Sequence, residues 1–137
     1  MRASTGYRDP MNTTAFVAVG LGAAFGACTR WLLSLALNPV LPTLPLGTLA
    51  SNLIGAYVIG LSVEFLGRHA GLPPEIRLFV ITGFLGGLTT FSTYSAEAVM
   101  LLERGQLGWF AAHLAGHLVG SVTSTFLGIL TVRALVR

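Results

Sequence analysis

The side chains best suited to chemistry lie in residues 82–97, which read TGFLGGLTTFSTYSAE. Gly86 and Gly87 are followed by five Ser or Thr residues in the seven positions from Thr89. Such residues disfavour a continuous helix, so the sequence predicts a break between Gly86 and Thr90. In a membrane, backbone carbonyl groups without helical hydrogen bonds would suit a hard cation. The N-terminus of the helix after the break would suit an anion. Alternatively, the break is a hinge whose polar groups bind neighbouring hydroxyls.

Two aromatic rings and one amide could meet an ion near this break. Phe91 and Tyr94 are three residues apart and share a helix face. Their electropositive edges could replace part of an anion's water shell without a full positive charge that would hold it. Asn52 carries the only side-chain amide in residues 46–63, and its NH2 group could donate to the same ion. The alternatives are that the rings face lipid or pack in the core, and that the amide forms interhelical hydrogen bonds.

A polar stripe recurs at intervals of four residues late in the chain. It consists of His113, His117, Ser121 and Thr125. The stripe should face protein or water, or form a helix–helix seam. Two histidines four residues apart could ligate a metal ion, but the sequence places no third ligand nearby. Glu97 is a functional candidate as an intramembrane carboxylate, or it lies at the interface near Arg104.

Composition shows what must position these residues. Of 137 residues, 53% are hydrophobic and 9% charged, against about 25% charged in soluble domains, which excludes an ordinary water-soluble globule. Long charge-free runs predict an all-α membrane protein with four transmembrane helices at about 14–37, 45–66, 75–102 and 106–133. Residues 13–137 would form a single transmembrane domain behind a polar N-terminal extension at 1–12. Arg30 lies in the second half of the first helix, where it snorkels or faces a polar interior.

Basic residues flank the apolar runs, which indicates membrane orientation rather than nucleic-acid binding. One side of the predicted bundle holds Arg2, Arg8, Arg68, Arg77, Arg133 and Arg137. The other side holds Arg104 and Arg30, so both termini are expected in the cytoplasm. Short connections leave no room for a soluble domain, and no catalytic motif is present. Four helices of this length are too few to enclose both a core and a permeation path, which favours an oligomer.

Small residues four apart occur in every predicted span and predict close helix packing. The pairs are Gly22 and Gly26, Ser51 and Gly55, Gly83 and Gly87, and Gly116 and Gly120.

Three segments together closely resemble the small bacterial fluoride channels called Fluc or CrcB proteins. They are residues 83–94 (GFLGGLTTFSTY), 47–55 (GTLASNLIG) and 22–30 (GAAFGACTR), and the likeness covers essentially the whole chain after residue 12. It implies a passive, non-enzymatic fluoride channel in the lipid of the bacterial inner membrane, which exports fluoride and relieves its toxicity. The implied assembly is an antiparallel, dual-topology homodimer with two pores. A structural sodium ion at its centre would be held by backbone carbonyls of Gly86 and Thr89.

The resemblance also assigns residues to the fluoride pore. They are Asn52, Phe91, Tyr94, Ser121, Thr125, His117, His113 and Arg30. Tyr94 departs from the family, which usually has Phe there, and adds a phenolic hydroxyl. The two histidines replace expected hydroxyl or small residues, and their ionisation near neutral pH would tune conduction. The uneven arginine count favours one orientation, whereas dual topology needs near balance.

Two other functions are compatible with the residues alone. A small proton-coupled cation or drug exporter of the four-helix dimeric class needs a membrane carboxylate, and here only Glu97 could serve. A non-conducting assembly subunit would use the aromatic and hydroxyl residues for packing only.

Overall fold

A computed structural model of the protein describes residues 13–136, so the predicted extension at 1–12 lies outside the described residues. Four helical spans, each long and apolar enough to cross a membrane, account for most of the described chain, and residues 13–136 contain no strand. The spans are Thr13–Val40, Leu46–Arg68, Pro74–Glu103 and Leu107–Leu135. The prediction of an all-helical, multi-pass membrane protein is therefore confirmed.

Three of the spans are each built on one long α-helix. Helix α1 is Thr13–Leu37 and continues into a short 3-10 turn, Asn38–Val40. Helix α2 is Leu46–Arg68, and the helix of the last span, named α6 below, is Leu107–Leu135. The bounds of these helices lie within two residues of the predicted ones. A tight turn precedes α6, where Gly105 has a φ of +67°, a conformation that glycine adopts without strain.

The third span is composite. It begins with α3 (Pro74–Arg77), continues as a π-helical stretch (Leu78–Leu85) and then as α4 (Gly86–Leu88), and ends with α5 (Phe91–Glu103). Between α4 and α5 the backbone is extended, with φ −84° and ψ 153° at Thr89 and φ −150° and ψ 118° at Thr90. π-Helical turns are rare, and those found within α-helices often lie at functional sites.

Glycines bring α1 against the third span. A Cβ atom on Gly26 would collide with the backbone oxygen of Phe84, and one on Gly87 with that of Ala23. Gly22 and Gly83 lie in the same interface, with a built Cβ on Gly22 3.0 Å from the Gly83 Cα. The two predicted glycine pairs of these spans therefore face each other, and the packing expected of them is confirmed.

The close approach of α2 to α6 uses glycines that the sequence did not single out. A Cβ on Gly60 would collide with the Thr125 carbonyl oxygen. A Cβ on Gly128 would collide with a backbone carbonyl oxygen of α2. At the predicted α6 pair, a Cβ on Gly116 would make only an ordinary contact at 3.8 Å, and one on Gly120 would meet the end of a leucine side chain. The tightest helix contact on α6 thus lies two turns beyond the predicted pair, because only the partner helix decides which glycine faces it.

Candidate functional site

The interruption between α4 and α5 is held by one side chain from α2. Thr90 N donates to Asn52 Oδ1 at 2.8 Å, and Asn52 Nδ2 donates to the Thr90 carbonyl oxygen at 3.1 Å. The Thr90 hydroxyl also accepts from Thr93 N at 3.2 Å and so caps α5. The polar backbone atoms of Thr90 therefore have partners within the protein, which a bilayer interior requires.

Asn52 also fixes the chemistry of a ring on α6. Its Nδ2 lies 3.1 Å from His117 Nδ1. Because the paired contacts with Thr90 set the orientation of the amide, Nδ2 must be the donor and His117 Nδ1 the acceptor. The neutral His117 ring then carries its hydrogen on Nε2, a buried atom without a hydrogen-bond partner among the described residues. Both amide hydrogens of Asn52 are used within the protein.

Most residues that the sequence assigned to an ion path line two adjoining clefts. One has a volume of about 440 Å³ and the other about 210 Å³, and Asn52, Phe91 and Ser121 line both. The larger cleft is also lined by Gly86, Thr89 and Thr125, and the smaller one by Tyr94 and His117. Tertiary structure therefore gathers a few polar and aromatic residues from three spans around one largely apolar space.

The aromatic pair lines the smaller cleft, and Phe91 lines the larger one as well. The ring centroids of Phe91 and Tyr94 are 5.4 Å apart with an interplanar angle of 46°, and Phe91 is 78% exposed. Tyr94 continues the cluster onto α6, with its ring centroid 5.0 Å from that of His113 and 4.7 Å from that of His117. A hydrophobic core role does not explain Phe91, since its ring lies open beside the clefts.

Two of the predicted pore residues do not line either cleft. Arg30 reaches from α1 to the third span, where its Nε donates to the Gly87 carbonyl oxygen at 3.0 Å. His113 is 1% exposed, and its Nε2 donates to the Tyr94 carbonyl oxygen at 3.1 Å. In this chain both side chains hold backbone next to the clefts.

Glu97 faces the interior of the bundle. The Thr48 hydroxyl donates to Glu97 Oε1 at 2.6 Å, and His113 Nε2 lies 3.8 Å from Oε2. One potential ligand atom from each of Glu97, His113 and His117 lies within 4.8 Å of the others. The expectation that the histidines have no third ligand nearby was therefore wrong. Glu97 precedes them by 16 and 20 positions, and only the packing of α5 on α6 brings it to them.

These features define a multi-pass membrane protein with clefts between its spans that are lined by aromatic, aliphatic and a few polar residues. Residues 17–129 match the family described as CrcB-like protein, Camphor Resistance (CrcB). The chain belongs to this family.

Relatives named "Fluoride-specific ion channel FluC" match nearly the whole chain. The one from Nitrosospira multiformis is 57% identical over 123 residues, which cover 90% of this chain and 96% of the relative. That from Burkholderia mallei is 59% identical over 120 residues, covering 88% and 94%. That from Cupriavidus taiwanensis is 58% identical over 125 residues, covering 91% and 99%.

Proposed function

We propose that this chain is a fluoride-selective passive ion channel that exports fluoride from the cytoplasm and carries out no enzymatic reaction. Its similarity to relatives named as fluoride-specific ion channels supports this function. The observation that carries the proposal is the convergence of Phe91, Tyr94, Asn52 and Ser121 on one cleft between α2, α5 and α6. This combination of ring edges and hydroxyl groups suits a small anion that must lose its water shell.

Selectivity follows from how that water shell is replaced. Fluoride passes the edges of Phe91 and Tyr94 and accepts hydrogen bonds from the hydroxyls of Ser121 and Thr125. His117 adds a neutral ring N–H next to this path. None of these groups carries a full positive charge, so an ion binds strongly enough to enter and weakly enough to leave.

Asn52, Arg30 and His113 act in this path as residues that shape it. Asn52 holds Thr90 and the His117 ring through hydrogen bonds of 2.8–3.1 Å. Arg30 and His113 each bind a backbone carbonyl of the third span. Their loss would move the lining of the clefts without removing a group that fluoride touches.

The working channel is an antiparallel, dual-topology homodimer in the inner membrane, with its apolar outer surface in lipid. The open clefts and the 78% exposure of Phe91 support a second copy as the missing wall. In this assembly the interruption of the third span lies at mid-membrane depth. A sodium ion held by backbone oxygens of Gly86 and Thr89 is compatible with the extended backbone at Thr89 and with the open space beside Gly86. Bound there, the ion would supply positive charge that ties the two copies together.

The test is fluoride efflux from liposomes. The purified protein is reconstituted with internal potassium fluoride, a potassium ionophore is added, and efflux is followed with a fluoride electrode against a chloride control. We expect fast loss of fluoride and retention of chloride. Retention of both ions by verified dimers would contradict the proposal and favour export coupled to protonation of Glu97.

Matched phenylalanine variants test the path itself. Phe91→Ile removes a ring that lines both clefts, whereas Phe126→Ile removes an exposed ring on α6 that lines neither. We expect the first to abolish fluoride efflux and the second to leave it near the wild-type rate, with both proteins still dimeric by size-exclusion chromatography. Equal efflux from the two variants would refute the assigned path.

A further inference from the structure

The strongest unassigned feature is a buried cluster of three potential metal ligands, formed by Glu97, His113 and His117. His113 is 1% exposed and His117 is 6% exposed. The buried side-chain atoms without a hydrogen-bond partner in the described chain are Glu97 Oε2, His113 Nδ1, His117 Nε2 and Gln106 Oε1. Three of these four atoms thus belong to the cluster. Buried polar groups normally have partners, so this concentration calls for a ligand.

We infer that Glu97, His113 and His117 form a binding site for a divalent transition-metal ion, with Zn²⁺ the best fit. Two imidazoles and one carboxylate suit zinc, and three protein ligands leave the fourth position open to water or an anion. Hard cations such as Mg²⁺ prefer sites made of oxygen atoms, which this cluster is not.

The distances are close to those of a zinc site. One potential ligand atom from each residue lies within 4.8 Å of the other two. Ligand atoms in a tetrahedral zinc site are about 3.3 Å apart, given zinc–nitrogen bonds of about 2.0 Å. Side-chain movements of about 1 Å therefore complete the site.

The outer hydrogen bonds orient two of the ligands. The Tyr94 carbonyl accepts from His113 Nε2, which leaves the lone pair on Nδ1, and the Thr48 hydroxyl holds Glu97 Oε1. A ligating histidine commonly donates its other ring N–H to a backbone carbonyl in this way. Coordination through His117 Nε2 moves the ring proton to Nδ1, where it would face the Asn52 NH2 group at 3.1 Å. The His117 ring must therefore turn away from Asn52 and give up this hydrogen bond when the coordinate bond forms.

The test is direct Zn²⁺ binding to the full-length, tag-free dimer, measured by competition with a chromogenic zinc chelator. All proteins carry Cys28→Ser, since the thiol of Cys28 is exposed and could bind zinc. We expect one saturable site per chain. Glu97→Gln keeps an acceptor for Thr48 and should weaken binding about tenfold or more, as should His117→Gln. His69→Ala, at an exposed histidine outside the cluster, should bind like its parent.

Several results would overturn the site. One is that the parent protein shows no saturable Zn²⁺ binding. The other is that Glu97→Gln and His117→Gln both bind Zn²⁺ with the affinity of the parent protein. Circular dichroism and size-exclusion chromatography identify a variant that fails to fold, and the other variant then decides the outcome.

A bound metal would also slow fluoride movement, a consequence that rests on the proposed function. A divalent ion beside one carboxylate leaves net positive charge next to the smaller cleft, which holds an anion too tightly for fast passage. Zn²⁺ should therefore slow fluoride efflux, and a chelator should restore it. If zinc binds and the rate of fluoride efflux is unchanged, the predicted inhibition by zinc is wrong but the zinc site stands. If the protein binds zinc and never releases fluoride, only the proposed channel function is contradicted.

Discussion

Replacing Asn52 by alanine should weaken the fold at the interruption of the third span. The substitution removes three hydrogen bonds, which join Asn52 to Thr90 N, to the Thr90 carbonyl oxygen and to His117 Nδ1. Side-chain hydrogen bonds between membrane helices contribute about 0.6 kcal/mol on average and about 1.7 kcal/mol at most. Three of them give a loss of about 2–5 kcal/mol. The upper end is expected because Thr90 N and His117 Nδ1 would be left without these partners in the interior.

The measurement is unfolding of the detergent-solubilised protein by sodium dodecyl sulfate, followed by far-ultraviolet circular dichroism. Asn38→Ala is the matched control, since the side-chain Oδ1 of Asn38 accepts one hydrogen bond, from Gly47 N at 2.8 Å. The control should lose about 1 kcal/mol of unfolding free energy. Fluoride efflux from the same proteins should be lost for Asn52→Ala and kept for Asn38→Ala.

One result would refute this reasoning directly. If Asn52→Ala lowers the unfolding free energy no more than Asn38→Ala does, then the Thr90 backbone does not depend on Asn52, and the amide is free to act on an ion.

Three further substitutions test the packing around the site. Gly60→Ala forces a methyl group against the backbone of α6 and should destabilise the protein by about 1–3 kcal/mol. Gly20→Ala is the control, because its methyl group meets nothing within 4 Å and should not destabilise the protein. The free energy of unfolding of both variants is measured by chemical denaturation. Thr90→Val removes the side-chain cap of α5 and should lower the free energy of unfolding by about 1 kcal/mol. Ser95→Ala removes an exposed hydroxyl and should cause no loss in the same unfolding assay. Arg30→Gln loses the Nε hydrogen bond to the third span and should slow fluoride efflux in liposomes without dissociating the dimer; an unchanged rate would show that Arg30 has no positioning role.

The site was only partly visible in the sequence. Phe91, Tyr94 and the hydroxyl residues stood out because helical periodicity places them on shared faces. The pairing of Asn52 with both polar groups of the Thr90 backbone could not be predicted, since these residues are 38 positions apart. The same holds for Glu97 and the two histidines, which look unconnected until α5 lies against α6.

By itself, the sequence determined that this protein is a bundle of four membrane-spanning helices, because apolar runs longer than a bilayer is thick leave few other structures. It also indicated close helix packing in every span, since small residues four apart allow helix backbones to approach each other. Tertiary structure alone decided that Gly128 rather than Gly116 brings α6 against the backbone of α2, and that Asn52 binds Thr90. Contacts between distant positions depend on the rotation and depth of whole helices, and no local pattern encodes these.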